Sequence, residues 1–245
     1  MKNYDEISKI AAGINLPVDK VVLYTPYFKP FVDSLPAVAN FPIAVLDDYC
    51  SRNGVEIAWK KIGGRQVCFC GPLPEYYETA DLQNFKNSVR LLKTAGCKSM
   101  LFLTTAVAVG DVAMENQPLI ISDHINLTTF NPLIGANDEK FGVRFPDMSE
   151  AYDSTLVHEL AEKVRQTGLE DSRIIAAVML KNQESDELHL SKSGVSVIIN
   201  SAAAEVITAV HCQISCATLA YVPSVKDPDI SRQQIYSKLT ALNCF

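Results

Sequence analysis

Short apolar runs rich in β-branched residues punctuate the chain: KVVLYTP, VEIAW, RQVCFC, SMLFLTTAVAV, PLIISD, RIIAAVML, VSVIIN and SCATLAYV. Their apolarity is continuous rather than alternating, which marks strands covered on both faces. Helical spacing lies between several of them. In DLQNFKNSVRLLKTAG, Leu82, Phe85, Val89 and Leu92 fall three and four residues apart, and Gly96 supplies a C-cap signal. SEAYDSTLVHELAEKVRQTG repeats the design, with Ser149 as the expected N-cap and Gly168 as the stop. AAEVITAVHCQ and ISRQQIYSKLTALNC are the remaining clear helices, and a further one is expected from Ser185. Strand and helix alternate, so the pattern predicts an α/β fold around a mixed, largely buried sheet. No internal repeat or low-complexity linker interrupts it, and residues 1–245 read as one domain.

One stretch escapes this periodicity. From Asp123 to Pro146, within DHINLTTFNPLIGANDEKFGVRFPDMSEAYD, polar and turn-forming residues crowd together with a single histidine and no cysteine. Unstructured segments longer than ~12–15 residues are uncommon inside compact domains and usually serve function or an interface. Hydrophobic residues make up 48% and charged residues 20%, the balance of a soluble globular protein. The net charge of -6, with no concentrated basic patch, argues against nucleic acid as a partner. No apolar run approaches the ~20 residues that cross a bilayer, and the first residues lack the apolar centre of a signal peptide. A cytoplasmic, non-membrane protein is therefore expected. The seven cysteines are an odd count without a strong metal spacing, which predicts reduced, buried thiols.

DHINL, NPL.G.NDE.FG.RFP.MS.AYD and the later AEVI.A.HC resemble the trimeric purine nucleoside phosphorylases, which use phosphate to split inosine and guanosine. The resemblance is densest over 118–153 and continues weakly from about residue 20 to about residue 225. It implies a mixed sheet with a distorted barrel surrounded by helices, and a homotrimer with sites between neighbours. It also implies that the 123–153 block is mainly scaffold and interface, with Phe145 reaching into the adjacent protomer's sugar site. A loop that folds on itself and packs on a neighbour needs fixed turns and paired backbone groups, which accounts for the specific sequence without chemistry.

The resemblance departs where chemistry is expected. The family's Gly-Ser-Gly phosphate turn falls on Tyr24-Thr25-Pro26; Thr25 keeps a hydroxyl, but Pro26 has no N–H to offer an anion. The phosphate arginine and histidine fall on Pro72 and Pro74 of GPLPEYYE, while the sugar-binding tyrosine matches Tyr76. Proline cannot replace the bidentate grip of arginine on an oxyanion. In TTAVAV, Thr105 stands for the family's asparagine and Ala106 is retained. The base-site glutamate matches Glu184, beside Gln183 in place of an aromatic, and the methionine-serine pair matches Asn200-Ser201. The threonine-asparagine pair that holds the purine falls on Pro223-Ser224, and the ribose-side histidine has no counterpart.

Of the histidines, His124 beside Asp123 reads either as a general-base pair or as a structural hydrogen bonder, and His158 as a helix-surface residue. His189 and His211 have no ligand at metal spacing, so neither metal nor cofactor is expected. Glu184 reads equally as a purine-binding carboxylate and as an acid favouring a helix N-terminus. The leading expectation is a phosphorylase-like homotrimer that has lost ordinary phosphorolysis and keeps a remodelled pocket for a purine-like or other aromatic small molecule. An active nucleoside phosphorylase or hydrolase with an altered site is the alternative. A structural trimer, its old site filled by Pro72, Pro74, Tyr76 and Tyr77, is the third.

Overall fold

The computed structural model describes residues 20–38, 56–74, 76, 82–110, 114–169, 173–180, 184–242 and 244–245. The chain's apolar runs become eight strands: β1 (Lys20–Tyr24), β2 (Glu56–Ile62), β3 (Arg65–Gly71), β4 (Ser99–Ala108), β5 (Pro118–Asn126), β6 (Arg173–Val178), β7 (Val195–Ile199) and β8 (Ser215–Tyr221). They form one mixed sheet in the order β2-β3-β1-β4-β7-β6-β5-β8, with an additional pairing of β8 to β4. That pairing closes β4, β7, β6, β5 and β8 into a barrel, from which β1, β3 and β2 run on as an open wing. The long strand β4 makes both parts possible. Its Ser99–Leu103 segment pairs with β1, Ser99–Thr105 pairs with β8, and Ala106–Ala108 turns to meet β7.

The described helices are α1 (Lys29–Ser34), α2 (Leu82–Thr94), α3 (Ser154–Gln166), α4 (Glu184–Lys192), α5 (Ala203–His211) and α6 (Pro228–Leu242). The sheet strands are buried between them, β1, β3 and β8 almost throughout, which is why their sequences read as unbroken apolar runs. The helix α3 does not begin at Ser149. Its N-cap is Asp153, whose side chain accepts from the Thr155 and Leu156 N–H groups, while Ser149 closes a local turn on Asp147. Long-range bonds decide between the two: the Asp153 N–H is held by the Cys216 carbonyl and its carboxylate by the Ser215 hydroxyl, both on β8. The helix α6 starts at Pro228, two residues ahead of the expected ISRQQ, because proline suits the first helical position. The helix α4 starts at Glu184 rather than Ser185.

The stretch from Asp123 is less irregular than its sequence: β5 absorbs residues 123–126. Beyond it the chain is fastened by its own polar side chains. Asn126 ties to Thr128 and the Phe130 carbonyl, Asn131 to the Leu133 N–H and Asp138 to the Lys140 N–H. Arg144 donates to the Leu133 and Gly135 carbonyls. These are the fixed turns that the sequence's asparagines and aspartates predict.

Candidate functional site

The ends of β1, β4 and β7 meet at one edge of the barrel. There the Thr25 N–H bonds the Leu103 carbonyl at 3.2 Å, and the Leu73 N–H, just past β3, bonds the Tyr24 carbonyl at 2.8 Å. Gly71 permits the second approach, since a Cβ on it would stand 2.6 Å from the Tyr24 carbonyl oxygen. Thr25, Thr104 and Ser201 converge on a small cavity with Glu205 and Ala202, and the side chains of Tyr24 and Leu73 narrow it to ≈ 10 Å³. Its described lining holds no Lys, Arg or His. The Thr104 and Ser201 hydroxyls share a 2.6 Å hydrogen bond, whereas the Thr25 hydroxyl, 4% exposed, has no partner.

Tyr76 and Glu205 form the floor beneath it. The Tyr76 hydroxyl donates to Glu205 Oε2 at 2.8 Å and accepts from the Ala204 N–H at 2.5 Å. Glu205 also accepts from its own N–H and that of Ala202, the reach-back of a third-position helical acid to its N-cap. Ala202 holds φ 77° at that cap, a conformation that leaves the first turn of α5 facing Tyr76. Burial pushes the Glu205 carboxyl up to about 7, against the hydrogen bonds of Tyr76 and the two N–H groups. Burial, then the adjacent Glu205 charge, raises the Tyr76 hydroxyl well above its ordinary range.

The residues singled out from sequence are thus placed in three groups. Thr25 and Ser201 face the cavity. Asn200 lends its carbonyl to the Tyr76 N–H, and Thr105 and Ala106 lie on β4 in register with Tyr221 and Ile199, beside the cavity without lining it. Tyr76 is 2% exposed, with Phe85 and Phe130 edge-on to its ring, so its face is already covered. Glu184 opens α4; its side chain, with Gln183 and Tyr77, lies outside the described residues. Phe145 is elsewhere, 85% exposed on a groove of ≈ 280 Å³ with Ile134, Arg144, Met148 and Ile207.

His124 is a structural hydrogen bonder. Its Nδ1 meets the Tyr152 hydroxyl at 2.9 Å, while Asp123 accepts only its backbone N–H; burial lowers its imidazole. Among the described residues no group of His, Cys, Asp and Glu could hold a metal, and no helix is long and apolar enough to cross a membrane. Glu205 and Thr104 are site residues that the sequence alone does not single out. The signal for Glu205 was its place three residues beyond Ala202, a capping position masked by alanine at the cap.

The sequence profile of the phosphorylase superfamily matches residues 50–233. Purine nucleoside phosphorylase 1 of Geobacillus stearothermophilus is 34% identical over 127 residues, 52% of this chain and 44% of that protein. The purine nucleoside phosphorylase of Anopheles gambiae is 28% identical over 197 residues, 77% of this chain and 54% of the relative. The matched chain thus spans about half the length of these curated relatives. The crystal structure of a Schistosoma purine nucleoside phosphorylase with hypoxanthine superposes with a TM-score of 0.76 at 18% identity, covering 99% of this chain and 96% of the other. Barrel, wing and sequence profile agree, and the chain belongs to the purine nucleoside phosphorylase family of the phosphorylase superfamily.

Proposed function

We propose that this chain binds a purine-like or other aromatic small molecule without catalysing ordinary phosphorolysis. The observation that carries the reading is the cavity at Thr25, Thr104 and Ser201: it is small, its described lining has no cation, and it faces the buried Glu205 carboxylate. An oxyanion there would gain hydroxyl contacts alone, with no cation to balance its charge, and Pro72 and Pro74 offer no N–H. Charged hydrogen bonds contribute roughly 1.5–3 kcal/mol each, so a site without them loses several tenfold steps of phosphate affinity. The aromatic ligand would sit beyond this floor, toward Asn200 and the N-terminus of α4 where Glu184 stands. The working form is a cytoplasmic homotrimer in which Phe145 of one protomer approaches its neighbour's site; its exposure on an apolar groove supports that placement.

The names of the curated relatives favour a second reading, an active nucleoside-cleaving enzyme with an altered site. One experiment separates them. The purified protein is incubated with inosine, guanosine and free purines, with and without phosphate, while melting temperature and free base are followed. Stabilisation by a purine or nucleoside, indifferent to phosphate and without released base, is expected. Phosphate-dependent release of base at enzymatic turnover would sink the proposal.

A further inference from the structure

The helix α2 carries Lys86, Arg90 and Lys93 at four- and three-residue spacing, a basic stripe along one face. Lys93 is accounted for, and Arg90 only in part. The Lys93 ammonium donates to the Gln213 carbonyl at 3.3 Å, at the C-terminal end of α5 where a cation is favoured. The Arg90 guanidinium lies 4.4 Å from the Phe141 ring centroid and reaches the Cys212 thiol, but its buried Nε has no partner. Lys86 is only 9% exposed and faces Arg90 with no carboxylate against it among the described residues. Below them His211, 1% exposed, bonds Asn137 through Nε2 at 3.1 Å and leaves Nδ1 unpartnered.

Charged groups are almost never buried without a counter-charge, and like charges four residues apart on a helix repel. Among the described residues the acid within electrostatic reach is Asp138, felt at His211 and Cys212. Against Lys86, Arg90 and Lys93, that carboxylate leaves the described cluster positive. The candidate ligand cavity lies at the other end of α5, about 12 Å along a nine-residue helix, so the two places are distinct.

We propose that Lys86 and Arg90 form an oxyanion-binding site on α2, taking a phosphate, sulfate or carboxylate group between the ammonium and the guanidinium. The Phe141 ring packs against the guanidinium, and its Nε–H, buried without a partner, is a donor that such a group would satisfy. Burial and the neighbouring Arg90 charge lower the Lys86 ammonium, the response of a cation with no counter-charge among the described residues. This inference does not depend on what the candidate cavity binds.

Sulfate is the probe, since its charge does not change with pH. Melting temperatures of the full chain are compared in sulfate and chloride at matched ionic strength. A saturable, sulfate-specific rise is expected in the wild type, weakened roughly ten- to hundredfold in Lys86→Met. In chloride the variant should melt no lower than the wild type, because a repulsion has been removed. A free anion acts independently of protein concentration; an acidic side chain from a second copy would make the Lys86 effect grow with concentration and compete with sulfate. Lys86→Gln repeats the test if the methionine variant does not fold. No sulfate-specific rise in the wild type and no concentration-dependent Lys86 effect, or the same rise after Lys86 is neutralised, would overturn the site.

Discussion

The Tyr76 hydroxyl sits between Glu205 and the first turn of α5, donating to the carboxylate at 2.8 Å and accepting from the Ala204 N–H at 2.5 Å. One oxygen therefore satisfies a buried acceptor and a buried helix-end donor together. Tyr76→Phe keeps the ring against Phe85 and Phe130 but orphans the Ala204 N–H and takes one hydrogen bond from Glu205, which keeps those of its own N–H and the Ala202 N–H. The expected cost is about 2–4 kcal/mol: roughly 1–3 kcal/mol for the unsatisfied N–H and about 1 kcal/mol for the lost hydrogen bond. Urea unfolding with an unchanged slope checks it; a midpoint within error of the wild type would show that water enters and that the floor is open.

Glu205 should leave a mark on the pH dependence of stability. Its carboxyl is raised from 4.5 to about 7 by burial, so between those pH values the folded chain holds a proton that the unfolded chain releases. Stability from this group is complete below pH 4.5 and declines as pH rises to about 7, by roughly 3 kcal/mol. His124 and His211, lowered by burial, act with the opposite sign and lose stability as pH falls below 6.5. Comparing Glu205→Gln with the wild type cancels the histidines. The variant's stability should fall less between pH 4.5 and 7, and parallel curves in denaturant titrations would refute the assignment.

The loop that follows β5 is pinned to α5 at Gly142. A Cβ there would stand 1.9 Å from the His211 carbonyl oxygen, a backbone atom that cannot step aside. Asn137 locks the same contact, donating to the Gly142 carbonyl and meeting His211 Nε2, each at 3.1 Å. Gly142→Ala should therefore cost about 1–3 kcal/mol or more, as overpacking does. A loss under ~0.5 kcal/mol, the range of ordinary surface changes, would mean that the loop can lift away.

How far sequence alone could carry these conclusions depended on the distance over which each feature is decided. Strands such as SCATLAYV were legible because burial on both faces writes itself into consecutive residues. The N-cap of α3 was not: Ser149 and Asp153 are both capping types, and the choice is made by Cys216 and Ser215 on a distant strand. The expectation of an altered phosphate end came from Pro72 and Pro74, because a missing N–H or charge is visible in a single letter. Glu205 stayed hidden because its partner Tyr76 is 129 residues away. An acid inside AEVI reads as solvated until that contact is known.

Phe145 offers the test of assembly. In a single chain it is 85% exposed, at the edge of a groove lined by Ile134, Met148 and Ile207, with Ile134 itself 68% exposed. A phenylalanine left in water contributes little to the fold of one chain, but covering it on a neighbour would recover roughly 1.5–3 kcal/mol per contact. Three equivalent contacts in a closed ring would multiply that effect. Phe145→Ala should consequently leave the stability of dilute, dissociated protein within ~0.5 kcal/mol of the wild type while lowering the oligomer fraction in sedimentation velocity. Ligand affinity should fall with it if the ring of one protomer closes the next protomer's site. A variant that stays fully associated and binds unchanged would place Phe145 on free surface and send the search for the interface elsewhere.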